Sequence, residues 1–155
     1  MHTFAGGFRT DSDDYKNMEK KRHIKVAGVL FFVWTAVILY GSLSPGADLP
    51  PMGWLARIPH FDKIVHFCFY LGQVLLLLLW LQPSRGNRIW VALCAIIFSG
   101  TIELLQGEYF DRSADWLDFA ANSAGALAGI PLARLAERLI FKKDSGNETP
   151  PNNDN

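Results

Sequence analysis

Four long apolar runs, separated by polar connections, constrain the fold of this chain more than any other feature. The runs cover residues 24–40, 64–81, 89–105 and 117–135. Each approaches the ~20 residues that a helix needs to cross ~30 Å of hydrocarbon at about 1.5 Å per residue. We therefore predict an all-α, polytopic membrane protein whose four transmembrane helices form one antiparallel bundle.

Charged residues fall mostly in the connections and at the two chain ends. The 155 residues are 50% hydrophobic and 19% charged, and the formal net charge is zero. A neutral chain gives no electrostatic reason to expect a nucleic-acid partner. We predict a disordered cytoplasmic tail over residues 1–23, the four-helix membrane domain over residues 24–141 and a second disordered cytoplasmic tail over residues 142–155.

Lysine and arginine residues are divided unevenly between the two predicted membrane faces. Of the Lys and Arg residues from Lys16 onward, eleven fall on the face that holds both termini and the 82–88 connection, and only Arg57, Lys63 and Arg112 fall on the other. Because cytoplasmic loops carry the excess of Lys and Arg, we predict that both termini are cytoplasmic. The 43–62 and 107–115 connections then face outward.

The second run carries a polar stripe close to its outward end. His66, Tyr70 and Gln73 are spaced i, i+4 and i+7, so they share one face of a helix. Lys63 precedes them at the helix start, where the helix dipole opposes a cation. An ionisable residue such as His66 inside a span needs a partner, water or a ligand.

The third and fourth runs bring further polar residues to the same face of the membrane. Glu103 and Gln106 close the third run, Arg112 follows in the connection, and Asp118 and Asn122 open the fourth run. Glu103 lies near a helix C-terminus, where the dipole opposes an anion. Since burial of an unpaired charge costs several kcal/mol, Glu103 requires a compensating group.

Structural explanations remain open for several of these residues. Asp115 suits an N-cap, and Asp118 suits the positive end of a helix dipole. Gln73 and Asn122 suit hydrogen bonds between helices.

From these patterns we predict one candidate site on the outward face. His66 and Glu103 are the candidate catalytic acid and base. The candidate ligand-binding residues are Lys63, Tyr70, Gln106, Arg112, Asp118 and Asn122. A divalent metal on His66, Glu103 and Asp118 is the weaker alternative, because the chain has no HExxH motif and no dense Cys/His spacing. We therefore predict no metal and no cofactor.

Small residues recur every four positions in the fourth run, at Ala121, Gly125 and Gly129. Such a GxxxG pattern lets helix backbones approach closely inside a membrane. We predict that this face packs against the third helix, its neighbour across a short connection, and homodimerisation is the weaker alternative.

The order and spacing of these residues resemble the VanZ-like family of small bacterial integral membrane proteins. The matching motifs are Asp62-Lys63-x-x-His66-Phe67 with Tyr70, Gly100-x-x-Glu103-x-x-Gln106, Arg112, and Asp118-x-x-Ala121-Asn122-x-x-Gly125-x-x-x-Gly129. The resemblance implies a four-helix domain in the bacterial cytoplasmic membrane. It also implies a link to low-level resistance against the glycopeptide teicoplanin, but it brings no settled biochemical activity.

Two functions remain in competition. The first is a cell-envelope protein that binds or modifies an amphipathic or lipid-linked ligand at the outer leaflet, with Lys63 and Arg112 on an anionic head group. The second is a non-catalytic membrane module that shapes the bilayer or docks a partner protein, in which the polar residues only join the helices. The sequence leaves open whether a reaction is catalysed and which oligomeric state the protein adopts.

Overall fold

A computed structural model describes residues 11–44, 57–109 and 115–142 of the chain. All regular structure in these residues is helical, as the apolar runs predicted. The four α-helices are α1 Asp11–Leu43, α2 Phe61–Leu81, α3 Arg88–Tyr109 and α4 Trp116–Lys142. The all-α class and the helix order are therefore confirmed for the described residues.

Helix α1 is longer than the first apolar run. It has 33 residues and begins at Asp11, so residues 11–23, for which the sequence predicted disorder, are helical. Glu19 forms i,i+3 and i,i+4 ion pairs with Arg22 and His23, which favour a helix in this charged segment. The other parts of the two predicted tails, residues 1–10 and 143–155, lie outside the described residues.

Three segments are long and apolar enough to cross a membrane, and they indicate a multi-pass membrane protein. They are Asp14–Leu43, Phe61–Leu81 and Arg85–Glu108. The exposure pattern agrees, because Ile97 and Leu104 of α3 are 70% and 73% exposed. Large apolar side chains exposed along a helix are expected where lipid, rather than water, surrounds the protein.

Helix α4 is long enough to span a membrane but less apolar than the other three. Its 27 residues carry Asp118, Asn122, Arg134 and Glu137, and small alanine and glycine residues replace many large apolar ones. It is not among the three candidate spans. The described residues therefore form four α-helices, of which three are candidate membrane spans by their length and apolarity.

The small-residue face of α4 packs against α2. A Cβ atom added at Gly125 would collide with the carbonyl oxygen of Phe67, and one at Gly129 would lie 2.9 Å from Cβ of Val74. Only residues without a side chain permit this approach of two backbones. The prediction that this face contacts α3 was wrong.

Helices α3 and α4 contact each other through a different set of side chains. Near the α3–α4 connection, a Cβ at Gly100 would lie 3.3 Å from the Phe119 ring. At the opposite end, Arg88 Nη2 donates to both carboxylate oxygens of Glu137, at 2.9 and 2.7 Å. This pair, called the Arg88–Glu137 clamp below, joins the start of α3 to the end of α4.

Helix α2 is the central element, because it makes the most extensive contacts in the bundle, above all with α4 and α1. Trp34 of α1 donates its indole N–H to the Phe69 carbonyl at 2.8 Å and lies against Gly72. Near the other end of α2, Trp80 lies against Gly28. Polar residues on the inward face of α2 therefore meet α3 and α4 inside the bundle.

Candidate functional site

The start of α2, the end of α3 and the start of α4 bring seven polar residues together at one end of the bundle. We call this group the acidic cluster. Its members are Asp62, Lys63, His66, Glu103, Asp115, Asp118 and Asn122. Most of the residues that the sequence predicted as a site are therefore neighbours in the structure.

Lys63 is enclosed by carboxylates. Its Nζ lies 2.8 Å from Asp62 Oδ2, 2.5 Å from Asp115 Oδ2 and 2.6 Å from Asp118 Oδ1. The ammonium donates hydrogen bonds to Asp62 and Asp115, and Asp118 Oδ1 lies within ion-pair distance without hydrogen-bond geometry. Lys63 is thus engaged within the protein, and the predicted contact with an anionic head group does not fit its surroundings.

Asp115 links the start of α4 to α2. Its Oδ1 accepts the backbone N–H of Leu117 at 2.8 Å, which confirms the predicted N-cap. Its Oδ2 accepts a hydrogen bond from Lys63, and this bond lowers the pKa of the Asp115 carboxyl below its ordinary value. The cap and the ion pair use different oxygens of one side chain.

Asn122 orients the centre of the acidic cluster. Its Nδ2 donates to Ser99 Oγ at 2.8 Å and to Glu103 Oε1 at 3.2 Å, while its Oδ1 lies 3.0 Å from His66 Nδ1. Because the amide nitrogen faces these acceptors, the hydrogen-bond network assigns a proton to His66 Nδ1. A neutral His66 then has its lone pair on Nε2.

Three potential ligand atoms converge beside Asn122. His66 on α2, Glu103 on α3 and Asp118 on α4 each bring one such atom, and these atoms lie within 4.8 Å of one another. His66 Nε2 is 3.6 Å from Asp118 Oδ2. An imidazole lone pair facing carboxylates is able to accept a proton from a hydroxyl ligand or to bind a cation. The catalytic assignment of His66 and Glu103 remains a prediction.

The described groups of the acidic cluster do not balance in charge. Four carboxylates, those of Asp62, Glu103, Asp115 and Asp118, accompany a single ammonium. With these carboxylates ionised and His66 neutral, the formal charge is minus three. A surplus of negative charge at the edge of an apolar bundle favours cations and hydrogen-bond donors.

A cavity of about 390 Å³ opens beside the cluster, between α3 and α4. Its lining consists of Gly100, Glu103, Leu104, Asp115, Trp116 and Phe119. Leu104 and Trp116, which are 73% and 78% exposed, form its outer edge. Glu103 is only 7% exposed, and it is the buried acidic group in the wall. The cavity therefore leads from the side of the bundle to a carboxylate.

The remaining predicted residues have different surroundings. Tyr70 is 2% exposed, and its hydroxyl makes no hydrogen bond of normal geometry within the described residues. Gln106 donates to the Ser42 carbonyl at 2.6 Å, so its amide joins α3 to α1 instead of facing the cluster. Arg112 lies outside the described residues.

Sequence reasoning missed three contributors. Ser99 lies one turn before Glu103 on the same helix face, and a serine within an apolar run was the available signal. Asp115 was predicted only as an N-cap, and its ion pair with Lys63 needed the fold to be seen. The Arg88–Glu137 clamp joins residues 49 positions apart, which no local pattern reveals.

The family model described as VanZ/LLP1 matches residues 8–137 of the chain. This range contains every member of the acidic cluster and nearly all of the four helices. No curated protein and no solved structure matches the chain. The resemblance predicted from the motifs is confirmed by the family match.

Proposed function

Because the chain belongs to the VanZ/LLP1 family and is a multi-pass membrane protein, we propose that it binds or modifies an amphipathic or lipid-linked ligand at the outer leaflet of the bacterial cytoplasmic membrane. The polar part of the ligand contacts the acidic cluster, and its apolar part occupies the cavity between α3 and α4. The family's namesake is associated with resistance to teicoplanin, and this association favours lipid-linked precursors of the cell envelope as ligands.

This proposal includes four membrane crossings with both termini in the cytoplasm. Helix α4 runs parallel to α2, with Gly125 against Phe67 and Gly129 against Val74, so the two helices would cross the membrane in the same direction. On its outer side α4 exposes Leu135 and Leu139, as a lipid-facing helix does. The excess of Lys and Arg near the α2–α3 connection supports the cytoplasmic assignment of that end.

The observation that carries the proposal is the position of Glu103. Its carboxylate is buried in the bundle, yet it lines an apolar cavity that opens sideways between two helices. Leu104, Trp116 and Phe119 provide apolar walls for a hydrocarbon chain. Ligand sites commonly combine apolar walls with a few placed polar groups.

The chemistry of the cluster specifies the polar part of the ligand. Glu103 and Asp118 offer carboxylate oxygens, and His66 offers the Nε2 lone pair. All three groups accept hydrogen bonds, so they favour a head group that donates them, such as a hydroxyl or an amine. This differs from the anionic head group predicted from Lys63 and Arg112, since Lys63 is engaged by three carboxylates.

The test compares Glu103→Gln with Glu137→Gln, two changes of equal size at opposite ends of the bundle. Cells that lack the gene are complemented with each variant, and their lipids and cell-wall precursors are profiled together with teicoplanin susceptibility. We expect Glu103→Gln to behave like the deletion while the protein remains folded. We expect the fold to be retained because the glutamine carbonyl still accepts a hydrogen bond from the Asn122 N–H.

The control variant Glu137→Gln weakens the clamp but leaves the cavity intact, so we expect a wild-type profile wherever the protein accumulates. Protein abundance in the membrane and melting temperature in detergent are measured for both variants. A wild-type profile with Glu103→Gln at normal abundance contradicts the proposal.

The second candidate function is the non-catalytic membrane module. It is favoured by one observation, namely that many polar groups of the cluster satisfy one another, as Lys63 does with three carboxylates. On this hypothesis Glu103→Gln reduces function only in proportion to the loss of folded protein. The ratio of activity to abundance therefore separates the two candidates.

A further inference from the structure

We propose that the acidic cluster binds one divalent transition-metal cation, of the Zn²⁺ or Mn²⁺ type, through His66, Glu103 and Asp118. The three residues come from three different helices, and their ligand atoms lie within 4.8 Å of one another. Around a bound zinc ion, neighbouring ligand atoms are about 3.4 Å apart, since each metal–ligand bond is ~2.0–2.2 Å long. Small side-chain movements are enough to close this difference.

The hydrogen-bond network presents His66 as a metal ligand. Nδ1 of His66 faces Asn122 Oδ1 at 3.0 Å and carries the proton, so the Nε2 lone pair faces Asp118 Oδ2 at 3.6 Å. A histidine that ligates a metal usually donates its other N–H to a fixed acceptor in this way. The facing nitrogen and carboxylate oxygen are satisfied either by a proton on Nε2 or by a metal cation between them, and the metal titration below separates the two.

The carboxylates are divided between Lys63 and the proposed metal. Asp118 Oδ1 pairs with Lys63 at 2.6 Å, which leaves Oδ2 on the side of His66. Although Lys63 repels a second cation, four carboxylates surround these two positions. A divalent cation would reduce the formal charge of the cluster from minus three to minus one.

A buried hydroxyl supplies a second, independent observation. Tyr70 lies one helical turn beyond His66, is 2% exposed, and has no hydrogen-bond partner of normal geometry in the part of the chain that the structure describes. Unpaired buried hydroxyls are costly, and a water on the metal would give Tyr70 a partner.

The donor set specifies the kind of cation. One imidazole with two carboxylates suits first-row transition metals, whereas Mg²⁺ and Ca²⁺ prefer oxygen ligands alone. Three protein ligands leave at least one coordination position for water or another ligand, as in catalytic metal sites. The cation site uses the same three side chains as the head group of the proposed function, so with metal bound the head-group hydroxyl or amine would take the open coordination position. Metal binding itself is measured without that ligand.

The experiment measures metal binding to the full chain, purified in detergent without an affinity tag and first stripped with a chelator. Zn²⁺ and Mn²⁺ are titrated separately by calorimetry, and bound metal is then counted by elemental analysis. We expect about one Zn²⁺ per chain. We expect Glu103→Gln and Asp118→Asn each to weaken binding at least about tenfold, a loss that even second-shell changes produce.

Two further variants keep the result interpretable if a ligand variant folds poorly. Glu137→Gln lies at the opposite end of the bundle and retains full binding. His66→Ala removes the nitrogen ligand but keeps both carboxylates and the Lys63–Asp118 ion pair, so it weakens metal binding without changing the charge of the cluster.

The proposal is overturned by wild-type protein that binds well under one equivalent of both metals, or by binding that Glu103→Gln and Asp118→Asn leave unchanged. Either result leaves the complementation test of Glu103 valid, because that test uses cell-envelope composition as its readout. The failure of the metal site and the failure of the proposed function are therefore distinguishable.

Discussion

The two ends of the helix bundle differ in how their buried charges are compensated. At the end near the α2–α3 connection, Arg88 meets Glu137 through two hydrogen bonds, and the two charges cancel. At the other end, four carboxylates accompany Lys63, and His66 Nε2 lies 3.6 Å from one of them, that of Asp118. One end is balanced, and the other carries surplus negative charge beside a cavity.

This difference separates a structural contact from a candidate site. In the Arg88–Glu137 clamp each ion compensates the charge of the other and together they join α3 to α4, although Nε and Nη1 of Arg88 have no hydrogen-bond partner within the described residues. The surplus charge of the acidic cluster costs stability and has no such compensation within the described residues. A group of residues that destabilises the fold it belongs to is a reasonable place to look for function.

The largest expected effect is on the free energy of unfolding, and it comes from removing the Arg88–Glu137 clamp. Arg88→Leu leaves the Glu137 carboxylate unpaired in a mostly buried position, so we expect a loss of about 3 kcal/mol in the free energy of unfolding. The measurement is denaturation in detergent. Since replacing both partners removes the unpaired charge, the double variant Arg88→Leu/Glu137→Leu recovers most of the loss. Equal stability of the single variant and wild type would show that the clamp is not a structural contact.

An intermediate effect is expected from Asn122→Ala in the acidic cluster. The change removes hydrogen bonds to His66, Ser99 and Glu103 and leaves buried acceptors without a donor, so we expect a loss of about 2 kcal/mol. We also expect function to fall further than the amount of folded protein, because His66 loses its orientation. Denaturation in detergent and complementation are measured together.

The matched control for Asn122→Ala is the neighbouring variant Ser123→Ala. The Ser123 hydroxyl donates only to the Phe119 carbonyl four residues earlier, so its loss should be nearly neutral for both readouts. If the two variants behave alike, Asn122 does not orient His66 for function. The proposed difference between a structural end and a functional end of the bundle is then contradicted.

The smallest effect concerns pH. Lys63 holds the pKa of Asp115 below its ordinary value, so the stability from this ion pair is present above the unfolded carboxyl value, about 3.9. It is lost as the pH falls through the lower folded value. We expect Asp115→Asn to melt slightly below wild type at neutral pH and the gap to close in acid. A gap of constant size across this range would contradict the assigned ion pair.

Much of the fold was predictable because helix and membrane patterns are local. The four apolar runs each correspond to a helix, and the i, i+4 spacing placed His66 and Tyr70 on the inward face of α2. The start of α1 was not predicted, because charged helical turns and disordered charged tails have similar composition. The partner of the Gly125 face was also wrong, since a GxxxG pattern shows that a helix packs closely but not against which helix.

The sequence predicted several residues of the acidic cluster, but it did not predict how their charges are arranged. The sequence selected His66, Glu103, Asp118 and Asn122, and the structure brings them together. It did not reveal that Lys63 is enclosed by carboxylates, because charge balance depends on distances between helices. The cavity beside Glu103 likewise exists only once α3 and α4 pack at a particular separation.

The sequence by itself determined the helices, the membrane character and the set of polar residues at one end, because hydrophobic periodicity and residue chemistry act over a few neighbouring positions. The tertiary structure alone decided which carboxylates face Lys63, which nitrogen of His66 is left with a lone pair, and that Gly125 meets α2. These are contacts between residues that are far apart in the chain, and their geometry is set by how closely the helix backbones approach.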